Sequence, residues 1–247
     1  MREQPEQQPP PVQRLRVRYA KRGRLRFTSH RDFSRAFERA VFRARIPMAY
    51  SSGFNPHPRI SYAGAAPTGS ASEAEYLEIA LAEVVDPARA HADMDEALPD
   101  GLDVIEVVAS SGGSLADRLE ASWWQLRLTG PDADQATAAV AVLLAQDEVL
   151  VERMTKKGLR SFDARAAIAS LDVAQTTSGP DACAILDVVL RHGSPSVRPD
   201  DVLAALREAS GLEVTAALQQ RLAQGPLDSQ DGTVGDPLTP DRDAAGR

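Results

Sequence analysis

Two histidines in the first quarter of the chain have the side chains best suited to acid–base chemistry. His30 lies at the predicted start of a helix, and His57 lies in the stretch 50–76, which is rich in glycine, proline, serine and alanine. An imidazole titrates near neutral pH, so either residue could act as a general acid or base in RNA cleavage, or contact a phosphate. A structural role, in capping the helix or locking the loop, is the competing interpretation. No spacing among the histidines indicates a metal site.

A row of arginines follows His30 on the same predicted helix. The row consists of Arg31, Arg35, Arg39 and Arg43. Their four-residue spacing makes them neighbours on one helix face, where each pair of like charges costs about 0.2–0.5 kcal/mol. An anionic partner would offset this repulsion. We therefore expect Arg31, Arg35 and Arg39 to contact phosphate groups.

The charges of the chain are unevenly distributed. Residues 14–60 contain 13 Lys+Arg and 2 Asp+Glu, whereas residues 71–121 contain 2 Lys+Arg and 13 Asp+Glu. The overall net charge of −7 hides this asymmetry. A basic stripe is typical of nucleic-acid binding, but the acidic residues from Glu73 onward could neutralise it within the same domain. The sequence leaves both alternatives open.

Aromatic and polar residues in the stretch 50–76 form a candidate binding site. Phe54 lies between a glycine and an asparagine, so we expect an exposed ring that could stack on a base, a contact worth about 1–3 kcal/mol. Tyr50 is a second candidate for stacking, whereas Tyr62 is expected to pin the loop to the core. Phe54 and His57 are expected at the bound target, and Arg59 is expected to contact phosphate like the arginines of the helix. Asn55 completes the candidate RNA- or anion-binding residues of this stretch.

Two further basic sites lie in the second half of the chain. Lys156 and Lys157 precede a glycine in a predicted turn, where they could bind an anion or form a solvated hairpin tip. Arg198 lies in a loop before a helix that is predicted to begin at Pro199. The free backbone N–H groups at a helix start can hold an anion, and Arg198 would add a positive charge there.

The composition excludes several classes of protein. The single cysteine, Cys183, excludes an internal disulfide and a cysteine-based metal cluster within this sequence. No apolar run is long enough to span a bilayer, and the N-terminal residues lack the apolar core of a secretion signal. We therefore expect a cytoplasmic protein without membrane contact. Nucleotide P-loop, dinucleotide-binding and zinc-protease motifs are absent.

The apolar periodicity predicts an α+β protein built from two tandem ferredoxin-like halves. In the first half, the alternation of Leu15, Val17 and Tyr19 predicts a strand. A helix with Ser29 as its cap follows, and the full order is β-α-β-β-α-β. The second half repeats this order without residue-level identity. The predicted divisions are a disordered segment 1–13, a first half 14–110 (basic, then acidic), a linker 111–121, a second half 122–227 and a disordered acidic tail 228–247.

Several blocks of sequence resemble a known family. They are FTSHRD at 27–32, AFERA at 36–40, YSSGFNPHPRIS at 50–61 and EAEY at 73–76. These blocks are similar to the radical-SAM-linked (radical-SAM-associated) domain of unknown function, which in many bacteria is fused behind a radical SAM module and in others is a separate chain. The resemblance extends over about residues 14–222, with looser matches at KKG (156–158) and SVRP (196–199). Arg31 departs from the hydrophobic residue expected between His30 and Asp32.

The resemblance implies a partner rather than a reaction. This sequence has no CxxxCxxC motif, so a stand-alone member of that family would act with a radical SAM protein in trans. That partner would carry the [4Fe–4S] cluster and S-adenosylmethionine, and no cofactor is expected in this chain.

Three functions remain open from the sequence. The leading hypothesis is a non-catalytic accessory protein that binds RNA (tRNA or rRNA, not DNA) for modification by the radical SAM partner. The first alternative is a metal-independent endoribonuclease that uses His30 or His57. The second is a protein-binding scaffold in which the basic and acidic segments pair internally and no RNA is bound.

Overall fold

The computed structural model describes residues 7–155, 158–174 and 183–246, and they form two compact units. Unit 1 comprises Met1–Arg118 together with Pro237–Arg247, and unit 2 comprises Leu119–Asp236. Both units combine helices with antiparallel strands. The prediction of an α+β protein is therefore confirmed. None of the helices in the described ranges has both the length and the hydropathy needed to cross a bilayer.

Unit 1 is built on an antiparallel sheet covered by two helices. Its elements are β1 (Gln13–Lys21), α1 (His30–Arg43), β2 (Ile60–Ala63), β3 (Ala71–Leu81), α2 (Pro87–Ala97) and β4 (Val104–Ala109). The strand order is β4-β1-β3-β2, and every neighbouring pair is antiparallel. Leu15 and Val17 of β1 are completely buried, as the alternation predicted. They join the core that receives Phe33 and Phe37 from α1.

The local sequence explains where α1 begins and ends. The Ser29 hydroxyl oxygen accepts a hydrogen bond from the backbone N–H of Asp32 at 3.2 Å and donates to the Asp32 carboxylate at 2.7 Å. This is the predicted N-cap, and it satisfies one of the free N–H groups of the first turn. Beyond the last turn, Arg45 adopts a left-handed backbone conformation with φ of 55°. The chain then turns toward Pro47, which cannot continue a helix.

Unit 2 repeats the strand order of unit 1 and adds a hairpin. Its elements are β5 (Ala121–Thr129), α3 (Ala133–Leu144), β6 (Leu150–Thr155), β7 (Gly158–Asp163), β8 (Ile168–Ala174), β9 (Ile185–Arg191), α4 (Pro199–Ser210) and β10 (Ala216–Gly225). The main sheet has the antiparallel order β10-β5-β9-β8. Strands β6 and β7 form a separate two-stranded antiparallel sheet. Asp132 and Gln135 form a reciprocal capping box at the start of α3.

The C-terminal residues differ from the predicted disordered tail. After unit 2 the chain forms a helix in unit 1, α5 (Thr239–Ala245). Leu238 is completely buried, and Asp241 is 1 % exposed. An isolated helix of this length is not stable in water, so its order depends on these buried contacts. The predicted linker is also anchored, because Leu115 and Leu119 are buried. Residues 1–6 of the predicted disordered N-terminus lie outside the described ranges.

Candidate anion-binding site

Arg14 and Arg16 of β1, together with the nearby Arg22, are neutralised within unit 1. Arg14 donates to a carboxylate oxygen of Glu78 at 2.9 Å, and the Nε of the fully buried Arg16 donates to the other oxygen at 3.1 Å. Arg22, just after the strand, pairs with Glu73 and Asp103. These hydrogen bonds, above all the one to Glu73, raise the pKa of Arg22 above its ordinary value. For this part of the basic region, the acidic segment that follows provides internal neutralisation.

The arginines of α1 have a different environment. Arg31, Arg35 and Arg39 are exposed, and no ion pair involves them in the described part of the chain. Arg43, in the last turn, donates a hydrogen bond to the carbonyl of Ala97. Four positive charges therefore follow one helix, and three of them keep their full hydrogen-bonding capacity for an external partner.

Arg35 and Arg39 line an open cleft of about 750 Å³ beside α1. We call it the arginine cleft, and its lining residues are Arg35, Glu38, Arg39, Phe42, Arg43, Tyr50 and Pro58. Three guanidinium groups and one carboxylate give the lining a net charge of +2. All of these residues belong to unit 1. The cleft thus joins the arginine row to the start of the loop that the sequence marked as a binding site.

Two aromatic side chains of the arginine cleft face solvent. The side chain of Phe42 is 80 % exposed, and that of Tyr50 is 40 % exposed. The sequence predicted a binding role for Tyr50 but not for Phe42. A signal was present, since Phe42 lies outside the apolar stripe of α1 that contains Phe33, Phe37 and Val41. Phe42 lies three residues after Arg39 and directly before Arg43, so its exposed ring adjoins the arginine row.

The loop after Tyr50 is held by a serine and a histidine. The backbone N–H of His57 donates to the Ser51 hydroxyl oxygen at 3.1 Å, and the Ser51 N–H donates to the His57 carbonyl at 2.9 Å. The ring Nδ1 of His57 lies 2.9 Å from the same hydroxyl. Phe54, at the loop tip, is 66 % exposed, and Asn55 beside it is also exposed. His57 therefore locks the loop that presents Phe54.

Arg59 follows the loop and is half-buried. Its backbone N–H donates to the carbonyl of Ala49 at 2.9 Å, and its own carbonyl accepts from the N–H of Ala80 at 3.0 Å. The backbone of Arg59 is therefore fixed beside Pro58, which lines the arginine cleft.

His30 is not one of the residues that line the arginine cleft. Its ring makes an edge contact with Tyr62, with centroids 4.9 Å apart. Arg35, the first lining residue of the cleft on α1, lies five residues further along the helix, which corresponds to about 7.5 Å at 1.5 Å per residue. His57 belongs to the loop and directly precedes Pro58, and its ring contacts Ser51. The contacts therefore place the two histidines in different surroundings rather than as one catalytic pair.

Tyr62 has the predicted structural role. It packs against Phe33, with ring centroids 6.0 Å apart. Burial raises the pKa of the Tyr62 phenol; the neighbouring Ser34 acts in the opposite direction, and the charge of Glu38 raises the pKa further. The ring pins β2 to α1 and is not available for stacking on a ligand.

The basic candidates of unit 2 divide into two cases. Lys156 and Lys157 lie outside the described residues. Arg198 is exposed at the start of α4, but the carboxylate of Asp201 already accepts a hydrogen bond from its backbone N–H at 2.7 Å. Arg153 also pairs with Asp201, whose pKa is raised by burial. The start of α4 is therefore occupied by a carboxylate of the chain itself.

A second open cleft, of about 820 Å³, is less suited to an anion. Its charged lining residues are Arg43, Arg45, Arg89, Glu83, Asp86, Asp93 and Glu96. Three positive and four negative side chains give a net charge of −1. Within the described ranges, no three histidine, cysteine or acidic side chains come together as metal ligands. The arginine cleft is therefore the site that favours an anionic partner.

The comparisons with known proteins point to a family without an assigned activity. A family model with the description "Uncharacterized protein conserved in bacteria (DUF2344)" matches residues 14–199. This match covers most of unit 1, including the whole arginine cleft, and continues to the start of α4. No protein with a curated description matches the chain.

Proposed function

Because this chain belongs to the family of uncharacterized proteins conserved in bacteria (DUF2344), we propose a function from its own geometry: it is an RNA-binding accessory protein. The arginine cleft holds the phosphate backbone. One observation carries the proposal, namely that Arg35 and Arg39 are exposed and have no ion pair in the described chain, whereas Arg14 and Arg16 of β1 pair with Glu78. An unpaired guanidinium can bind phosphate through two parallel hydrogen bonds.

The dimensions of the arginine row suit a chain of phosphates. From Arg31 to Arg43, α1 advances by about 18 Å at 1.5 Å per residue. A compact monovalent anion would use one or two of these arginines, whereas a polyanion uses the whole row. The release of counterions from such a polymer supplies most of the binding free energy.

The resemblance to radical-SAM-linked domains supports the second part of the proposal. We propose that the bound RNA, tRNA or rRNA, is presented to a radical SAM protein in trans, in the cytoplasm. That partner would hold the [4Fe–4S] cluster and S-adenosylmethionine, because one cysteine in this sequence cannot supply the three thiolates of a CxxxCxxC motif.

The topology supports a ferredoxin-like description of both units. Unit 1 has the element order β1-α1-β2-β3-α2-β4 and the strand order β4-β1-β3-β2. Unit 2 has the corresponding order β5-α3-β8-β9-α4-β10, with the hairpin β6–β7 placed between α3 and β8. We propose that the chain is a tandem of two ferredoxin-like units. In unit 1, this arrangement places α1 against the sheet and leaves its arginine face in solvent.

Salt-dependent binding of a short, fluorescein-labelled, mixed-sequence RNA tests the proposal. For a single strand, the slope of log K against log[salt] is about −0.7 for each phosphate neutralised. The double variant Arg35→Glu/Arg39→Glu should therefore flatten the slope by about 1.4 and weaken binding. Arg207→Glu is a matched control, because Arg207 is also exposed on a helix but belongs to unit 2. A slope that the double variant leaves unchanged would contradict the proposal.

Incubating the protein with RNA in EDTA distinguishes the endoribonuclease alternative from the proposed RNA-binding function. Cleavage that is lost in both His30→Ala and His57→Ala would support that alternative. We expect intact RNA, because the two histidines lie in different surroundings and the His57 ring contacts Ser51.

Copurification distinguishes the scaffold alternative from the proposed RNA-binding function. Tagged full-length protein should bring down a radical SAM protein together with RNA. A complex that forms with the same yield after nuclease treatment, and with the Arg35→Glu/Arg39→Glu variant, would indicate a scaffold that needs no RNA.

A further inference from the structure

The rings of Phe42 and Tyr50 line the same side of the protein without touching each other. Both belong to the lining of the arginine cleft. Neither ring takes part in an aromatic contact within the described residues. By contrast, the buried rings of Tyr19 and Phe33 stack on each other at 4.3 Å. Two aromatic faces in one cleft are therefore left available to a third planar group.

The exposure of Phe42 has a cost that packing within unit 1 does not offset. Its side chain is 80 % exposed, and it lies one turn after Glu38 and directly beside Arg43 on α1. Phenylalanine favours burial, and this residue is continuous with an arginine surface rather than with an apolar patch. A partner protein with a purely apolar face would leave the guanidinium groups of Arg35 and Arg39 desolvated and unpaired, which is costly. A nucleotide supplies both an aromatic face and an anion.

We propose that Phe42 and Tyr50 form a clamp for an unpaired base, so that the arginine cleft selects single-stranded RNA. The inference rests on the proposed function and goes beyond it, since the arginines alone would bind any nucleic-acid backbone. A base in a duplex is stacked on its neighbours and cannot enter between two side chains. A base in a loop, bulge or single-stranded end can stack on either ring while its phosphates contact Arg35 and Arg39.

The loop after Tyr50 extends the same surface. Ser51 and His57 close this loop through their hydrogen bonds, and the backbones of Tyr50 and Pro58 pair at its base. Phe54 at the tip offers a third exposed ring. The clamp is therefore built from two elements, with Phe42 on a rigid helix and Tyr50 at the base of a closed loop. This support fixes the backbone at both positions before a ligand binds, which lowers the cost of ordering the clamp.

Binding to three forms of one RNA tests the clamp. The probes are a short fluorescein-labelled single strand, the same strand in a duplex, and the same strand with abasic sites. Wild-type protein should bind the single strand more tightly than the other two. Phe42→Leu and Tyr50→Leu should each weaken single-strand binding by roughly 5- to 150-fold, the range for one lost stacking contact. Binding of the abasic strand should stay the same in both variants, since its phosphates still meet the arginines.

Conservative variants at the same positions provide matched controls. Phe42→Tyr and Tyr50→Phe keep an aromatic face and should retain most of the single-strand affinity, whereas the leucine variants keep only the apolar volume. Trp123→Leu tests a partly exposed aromatic residue of unit 2 and should not change the affinity.

The outcomes separate the clamp from the underlying RNA function. If wild-type protein binds the abasic strand as tightly as the normal strand, with the same salt slope, the clamp is wrong and the phosphate-binding function stands. If no probe shows salt-dependent binding, the proposed function itself is wrong, and the clamp, which depends on it, is wrong as well. If the leucine variants leave RNA binding unchanged but abolish copurification of a protein partner, the two rings belong to a protein interface and the clamp is overturned.

Discussion

Asp241 of the C-terminal helix and Arg16 of the first strand form a buried, two-point ion pair. The two residues are separated by 225 positions in the sequence, yet Nη1 of Arg16 lies 2.9 Å from each carboxylate oxygen of Asp241. Both side chains are completely inaccessible to solvent. Arg118 and Ser111 also donate to the same carboxylate, at 2.7 Å each. This cluster explains why α5 is ordered.

Neutralising Asp241 should strongly destabilise the protein. Asp241→Asn removes one of the two carboxylates that pair with the buried Arg16 and leaves it with Glu78 alone. Removing one member of a buried pair typically costs about 3–5 kcal/mol. Urea denaturation followed by circular dichroism measures the free energy of unfolding. Asp243→Asn is the matched control, because Asp243 is exposed on the same helix. Its effect should stay within about 0.5 kcal/mol. Equal effects of the two variants would show that the buried pair does not stabilise the fold.

The hydrogen bonds around Asp241 also predict how the free energy of unfolding changes as the pH falls. Burial alone would raise the pKa of Asp241, but the hydrogen bonds from Ser111, Arg16 and Arg118 outweigh it, so that the pKa is lowered. A carboxyl group with a lowered pKa in the folded state stabilises the protein above its unfolded pKa of about 3.9 and loses this contribution as the pH falls further. The difference in unfolding free energy between wild type and Asp241→Asn should therefore be constant from neutral pH down to about pH 5 and shrink below about pH 4. A difference that shrinks already near neutral pH would assign the effect to another group.

His192 of unit 2 should also make the stability depend on pH, in this case through a histidine rather than a carboxyl group. Its Nδ1 lies 2.7 Å from the carbonyl of Leu119, so Nδ1 carries the proton and Nε2 accepts from the Ser122 hydroxyl at 3.1 Å. The indole N–H of Trp124 donates to the same hydroxyl oxygen at 2.7 Å. Burial lowers the pKa of His192, the Leu119 carbonyl acts against this, and the charge of Arg221 lowers it further. The neutral ring is therefore the form that fits.

Protonation of His192 should destabilise unit 2. A histidine whose folded pKa is lowered contributes fully above its unfolded pKa of about 6.5, and the contribution is lost as the pH falls toward the folded pKa. The melting temperature of wild type should therefore decrease below about pH 6.5 relative to His192→Asn, which keeps a donor near the Nδ1 position but does not titrate. Melting curves over this pH range provide the measurement. Parallel profiles for the two proteins would mean that His192 does not control the transition.

The sequence predicted local features better than distant ones. The cap at Ser29 and the alternation of Leu15 and Val17 depend on neighbouring residues, and both are present. The role of Arg16 was not predictable in this way. It lies between these two buried residues, but its partner Asp241 lies at the far end of the chain. The charge count alone could not show which arginines remain unpaired.

The candidate site was partly predictable for a similar reason. The spacing of Arg35 and Arg39 on α1 follows from the helical period, and both line the arginine cleft. Which loop residue would meet this face depends on how the chain returns after α1, so the meeting of Phe42 and Tyr50 in one cleft required the structure. His30 contacts Tyr62, whereas His57 contacts Ser51, so the two candidate histidines have different contact partners.

Paired and unpaired arginines should differ in their contribution to RNA binding. Arg35→Gln removes an exposed guanidinium with no ion pair in the described chain and should flatten the salt slope by about 0.7, the value of one phosphate contact on a single strand. Arg14→Gln removes the same charge from β1 but should leave the slope unchanged, because Arg14 is already paired with Glu78, and Glu78 keeps its bond to Arg16. Anisotropy titrations of one labelled RNA at several salt concentrations compare the two variants directly. Equal slopes for both would show that the net charge of unit 1, rather than the arginine cleft, governs its attraction for RNA.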